Sequence, residues 1–123
     1  MRTHLLPLIA VALAAAPADA HPKLVAASPA PNAAVAAPAR ITLRFSERLV
    51  PRFSGADIVM IGMPGMKDHS PMKVAAAATV APDGWMLIVT PARPLARGTY
   101  RVDWHAVAAD THRVTGSVGF GVK

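Results

Sequence analysis

The chain contains no cysteine, which excludes disulfides, thiolate catalysis and thiolate metal sites together. Aromatic residues are scarce at 5%, and charged residues reach only 16%, against the roughly 25% usual for soluble domains. No long amphipathic stretch is present either, because twelve prolines and eight glycines punctuate the 123 residues. The longest apolar run, Leu5 to Ala16, is short of the ~20 residues that span a bilayer, so the sequence predicts no transmembrane segment. A disordered tail is excluded as well, by 53% hydrophobic residues and a mean hydropathy of +0.35. One domain fits this length.

What is present begins with a processing signal. Arg2, the apolar run and a small-x-small end at Ala18-Asp19-Ala20 read as a secretory signal peptide over residues 1–20. Cleavage after Ala20 predicts an exported, soluble domain over residues 21–123 that starts at His21. It removes Arg2 and Asp19 alike, so the formal charge stays at +6. The basic balance does not point to nucleic acid, since the arginines are scattered from Arg40 to Arg113 and no stacking aromatic motif accompanies them.

Apolar residues recur at every second position in Ile41–Phe45, the period of a half-buried strand. Ala56–Ile61, Val74–Val80, Trp85–Thr90, Thr99–Val107 and Thr115–Val122 are further strand candidates. Ala81-Pro82-Asp83-Gly84 supplies a turn, with a glycine available for positive φ. The alanine- and proline-rich stretch from Val25 to Ala39 reads as extended chain with turns. Short strands at this spacing predict an all-β sandwich of two antiparallel sheets. In Thr99–Val107 the alternation puts Tyr100, Val102 and Trp104 on the core face and His105 on the other.

Two groups of residues carry chemistry. Met60, Met63, Met66, His69 and Met72 recur at a spacing of three, among glycines and prolines that deny the stretch a helix. Core filling suits Met60 at the end of an apolar strand, and Met86 in the next one. It does not suit Met63, Met66 and Met72 on a polar loop. Thioethers with one imidazole and no thiolate make a soft, neutral site that selects Cu(I). At the processed N-terminus, His21 offers an α-amine and an imidazole to one metal, while Pro22 lacks the N–H that a metal could displace. Asp110-Thr111-His112 adds a carboxylate and a second imidazole, two residues apart and on one side of an extended segment. Amine, imidazoles and carboxylate form a tetragonal N/O set suited to Cu(II).

His21-Pro22-Lys23-Leu24, Phe45-Ser46-Glu47, Leu49-Val50, Phe53-Ser54-Gly55-Ala56, Met63-Pro64-Gly65-Met66 and His69-Ser70-Pro71-Met72 follow one another in this order. Gly98 to Trp104, Asp110-Thr111-His112 and Thr115-Gly116-Ser117-Val118 complete the series. Over nearly the whole mature length the sequence resembles the CopC family of periplasmic copper-binding proteins. The resemblance implies a small Greek-key β-sandwich or barrel of about seven strands, with a Cu(II) site at one end and a Cu(I) site at the other. It implies His21, Asp110 and His112 as Cu(II) ligands, with Glu47 as direct ligand or outer-sphere partner. The Cu(I) ligands would come from Met60, Met63, Met66, His69 and Met72. The loop is one residue longer than this pattern at Lys67-Asp68, which leaves open which methionines accompany His69. His105 matches no ligand position. A CopD-type inner-membrane copper transporter is the implied partner.

The expected function is a periplasmic copper carrier, not an enzyme, serving copper resistance or homeostasis. The alternative is a copper-dependent oxidase or monooxygenase built on the N-terminal histidine. That chemistry needs an open position for oxygen, which Asp110 would occupy, and a glycan platform, whereas Trp85 and Trp104 both fall in apolar strands.

Overall fold

The computed structural model describes residues 21–66 and 70–123, together with Pro7. The leader expected over residues 1–20 lies, apart from Pro7, outside the described residues, as does His69.

Among the described residues nine strands form two sheets. β1 (Leu24–Ser28), β3 (Ile41–Phe45), β7 (Met86–Pro91) and β6 (Ala76–Val80) make the four-stranded sheet in the order β1-β3-β7-β6. β2 (Ala34–Val35), β9 (Arg113–Val122), β8 (Gly98–Val107), β4 (Gly55–Gly62) and β5 (Met72–Val74) make the other, in the order β2-β9-β8-β4-β5. All pairings are antiparallel except the short β2–β9 pair. The chain changes sheet five times: between β1 and β2, β2 and β3, β3 and β4, β5 and β6, and β7 and β8. The β3–β4 crossing carries a 3-10 turn at Pro51–Phe53, and the β5–β6 crossing is made at Ala75 alone.

The alternation seen in the sequence builds the core. Ile41, Leu43, Phe45, Leu87 and Val89 face Ile58, Tyr100, Val102, Trp104, Val118 and Phe120 across the sandwich, all buried. Phe45 meets Trp104 edge-on with ring centroids 5.0 Å apart, and Tyr100 stacks on Phe120 at 5.5 Å. Gly116, opposite Trp104 in β9, is required by this packing, because a Cβ there would lie 2.3 Å from the indole. Among the described residues no polar or charged residue is buried.

Two expectations are corrected. Val74–Val80 is two strands, because the chain breaks at Ala75 and leaves one sheet for the other; the Ala75 carbonyl accepts from Ala92 N–H at 2.9 Å. Trp85 lies just before β7 and not within it, half-buried, with the Arg48 guanidinium 5.8 Å from its ring. The alanine- and proline-rich segment forms as read, extended chain with turns: it holds β1 and β2 with a turn between them. The turn at Ala81–Gly84 forms as read, with Gly84 at φ +84° donating to the Ala81 carbonyl at 2.8 Å.

Candidate metal centre

Three of the expected ligands come together from chain segments some ninety residues apart: His21, Asp110 and His112 each place a ligand atom within 4.8 Å of the others. His21 Nδ1 is 3.0 Å from Asp110 Oδ2, and His21 Nε2 is 3.2 Å from His112 Nδ1. His112 Nδ1 lies 3.9 Å from the same carboxylate oxygen.

The fold fixes each arm of this group. Pro22, next to His21, is fully buried and anchors the segment in the core. Lys23 N–H donates to Ser46 Oγ at 2.9 Å, and Ser46 N–H donates back to the Lys23 carbonyl at 2.9 Å. His21 therefore leaves from a pinned backbone. Asp110 and His112 sit on the β8–β9 connection, which is a turn and not the extended segment expected. Thr111 takes φ +64°, and its N–H donates to the Ala108 carbonyl at 2.9 Å. His112 N–H donates to Asp110 Oδ1 at 3.3 Å, which fixes the carboxylate and leaves Oδ2 directed at the histidines.

Asp110 Oδ2 is shielded from solvent, and no donor reaches it at hydrogen-bonding geometry, its 3.0 Å approach to His21 Nδ1 included. In the His21 tautomer with no proton on Nδ1, a buried carboxylate oxygen without a donor costs on the order of 1–3 kcal/mol or more. A cation between this oxygen and the two imidazoles removes that cost. The facing ring nitrogens at 3.2 Å likewise need a proton or a cation between them. The residues fit a metal ion with N/O preference.

Glu47 does not join the group; it is half-buried on the loop after β3, beside the Ser46–Lys23 clamp. His105 sits on the outer face of β8 over Gly55, where an added Cβ would lie 3.0 Å from the ring, and it too stands outside the group. Burial pushes its pKa below the ordinary histidine range, Arg113 adds to this, and Asp57 opposes it.

The methionines gather at the other end of the sandwich. Met60 and Met72 are cross-strand partners in β4 and β5. Met63 and Met66 close a two-residue turn by mutual backbone hydrogen bonds of 3.0 and 2.9 Å around Pro64 and Gly65, the glycine at φ +78°. Met60 is half-buried against the core, as core filling requires. Met63, Met66 and Met72 are 36%, 53% and 55% exposed, three of the five exposed large hydrophobic residues among those described. Their sulfurs serve no core. Met86 is half-buried on the side opposite Leu87 and Val89, so it does not fill the sandwich interior as expected. The clamp through Ser46 and the burial of Pro22 were missed in the sequence, where only the lack of an N–H marked Pro22.

Comparison with known proteins identifies the family. The CopC domain family matches residues 24–123. Copper resistance protein C of Pseudomonas syringae pv. tomato is 57% identical over 111 residues, 90% of this chain and 87% of the relative. Copper resistance protein C of Xanthomonas campestris pv. juglandis is 55% identical over 116 residues, covering 94% and 91%. The crystal structure of PcoC, a methionine-rich copper resistance protein from Escherichia coli, superposes with a TM-score of 0.78 at 49% identity, covering 85% of this chain and all of that one. No helix among the described residues is long and apolar enough to cross a membrane. On fold, sequence and length, the chain belongs to the CopC domain family.

Proposed function

We propose that this chain is an exported copper-binding protein that carries copper in the periplasm, in the service of copper resistance or homeostasis, and catalyses no reaction. The observation that carries the reading is the meeting of His21, Asp110 and His112 around a buried carboxylate oxygen that lacks a donor. The names of its relatives supply the metal. Cu(II) is held by His21, Asp110 and His112, joined by the His21 α-amine once residues 1–20 are removed, with Glu47 in the outer sphere. Cu(I) is held by thioethers from Met63, Met66 and Met72, with Met60 and His69 completing the donor set. A CopD-type transporter of the inner membrane receives the copper.

Titration with Cu(II) and with Cu(I) tests this on the protein whose chain starts at His21. One Cu(II) and one Cu(I) are expected per molecule. One extra residue ahead of His21 takes the α-amine away and should weaken Cu(II) on the order of tenfold or more, leaving Cu(I) unchanged. Equal Cu(II) affinity for both forms would remove the amine from the site. Oxygen uptake driven by ascorbate on the copper form should stay near that of free copper; rapid turnover would favour the monooxygenase.

A further inference from the structure

Beside the histidine cluster, a groove of about 490 Å³ runs over the outer face of the five-stranded sheet, lined by Arg52, Phe53, His105, Val107, Thr111 and Arg113. Val107 is buried and forms the floor, while Phe53 stands 51% exposed. The exposure of Phe53 is not slackness. Pro51 opens its 3-10 turn, Phe53 N–H donates to the Val50 carbonyl at 3.2 Å, and Val50 N–H donates to the Val107 carbonyl at 2.7 Å. Ser54 Oγ accepts from Val107 N–H at 3.0 Å and rivets the turn to the end of β8. The Arg52 guanidinium lies 4.9 Å from the centre of the Phe53 ring. An aromatic side chain held rigid at the rim of a groove loses little entropy when covered, as interface anchors do.

Charge selects the occupant. Two arginines flank the apolar floor, and no acidic residue lines the groove. A second copy of the chain would bring a charge of +6 against +6. A flat lipid surface does not fill a concavity. Thr111 is both a wall of the groove and the residue between Asp110 and His112, so an occupant would lie directly beside the cluster.

We propose that this groove is a docking surface for an acidic segment of a partner protein, its carboxylates on Arg52 and Arg113 and an apolar side chain against Phe53 and Val107. Docking there brings the partner's chain to the edge of the candidate Cu(II) site. The purpose of this placement, handing copper over, rests on the carrier reading; the surface itself does not.

The test uses the protein starting at His21, metal-free and Cu(II)-loaded. A synthetic peptide of alternating glutamate and leucine is titrated in, and backbone amide shifts are followed. Shifts are expected around residues 52–55, 105–107 and 113. Arg52→Glu should weaken binding at least fivefold and Phe53→Ala on the order of tenfold, while Arg44→Glu on the opposite sheet has no effect. Both groove variants should keep their Cu(II) affinity. No binding, equal binding of a lysine–leucine peptide, or equal loss with Arg44→Glu would overturn the proposal. So would anionic phospholipid vesicles that bind through Phe53 while the peptide does not. If the peptide binds as expected and copper does not, the carrier reading fails and the docking surface stands.

Discussion

Asp110 shows how far one residue can be specified by its neighbours. Its Oδ1 is held by His112 N–H at 3.3 Å, and its Oδ2 is buried without a donor against two imidazoles. Removing one imidazole should cost Cu(II) affinity on the order of a hundredfold in His112→Ala, with Cu(I) affinity unchanged. Competitive titration in the two oxidation states checks this, and a parallel loss of both would contradict the separation of the sites. Neighbours also set the behaviour of His105. Its pKa is lowered by burial first and by Arg113 second, so the unfolded chain binds this proton more readily than the folded one. His105 therefore contributes stability above the ordinary imidazole value of about 6.5, and that contribution is lost as pH falls through it toward the lower folded value. Urea midpoints should fall more steeply from pH 7.5 to pH 5 in the parent than in His105→Gln. Identical slopes would contradict this.

Elements show what a sequence carries and what it hides. Ile41–Phe45 and the β8–β9 pair were legible because one face is buried and the period of two is strict. The break at Ala75 was not, since Val74, Ala76 and Ala78 keep the same polarity while the chain changes sheet. The candidate ligands Asp110 and His112 were legible as residue types, but their mutual placement was assigned to extended chain. A threonine at φ +64° leaves no compositional trace, because that conformation normally signals glycine or asparagine. The Met63–Met66 turn, by contrast, advertises itself through Pro64-Gly65. Gly65 has open space around its Cα, so Gly65→Ala meets only the backbone penalty of positive φ, about 1 kcal/mol. We expect the fold to survive it and Cu(I) affinity to fall, because the turn that spaces the two sulfurs is disturbed. Met63→Leu with Met66→Leu keeps volume and apolarity and should abolish Cu(I) binding while Tm stays within a few degrees. Retained Cu(I) binding in the double variant would place the site elsewhere.

Across the whole molecule, the two candidate sites lie at opposite ends of β8. The methionine loop follows Gly62, which pairs with Thr99, and the Asp110 turn follows Val107. At about 3.4 Å per residue the separation along the strand is ~27 Å. A copper ion cannot pass directly between sites that far apart on one molecule, so direct transfer needs an encounter of two molecules and should be second-order in protein. The membership in the CopC domain family was legible from the ordered run of short motifs, and the groove by Phe53 was not, because its arginines look like any others until folding sets them around one apolar floor. The central claim is that oxidation state chooses the site, with nitrogen and oxygen for Cu(II) and sulfur for Cu(I). X-ray absorption at the copper edge, before and after reduction of the Cu(II)-loaded protein, tests it most directly. The account predicts an all N/O shell before reduction and sulfur scatterers after it, absent in Met63→Leu with Met66→Leu. Reduced copper that keeps its N/O shell in the parent protein would contradict it.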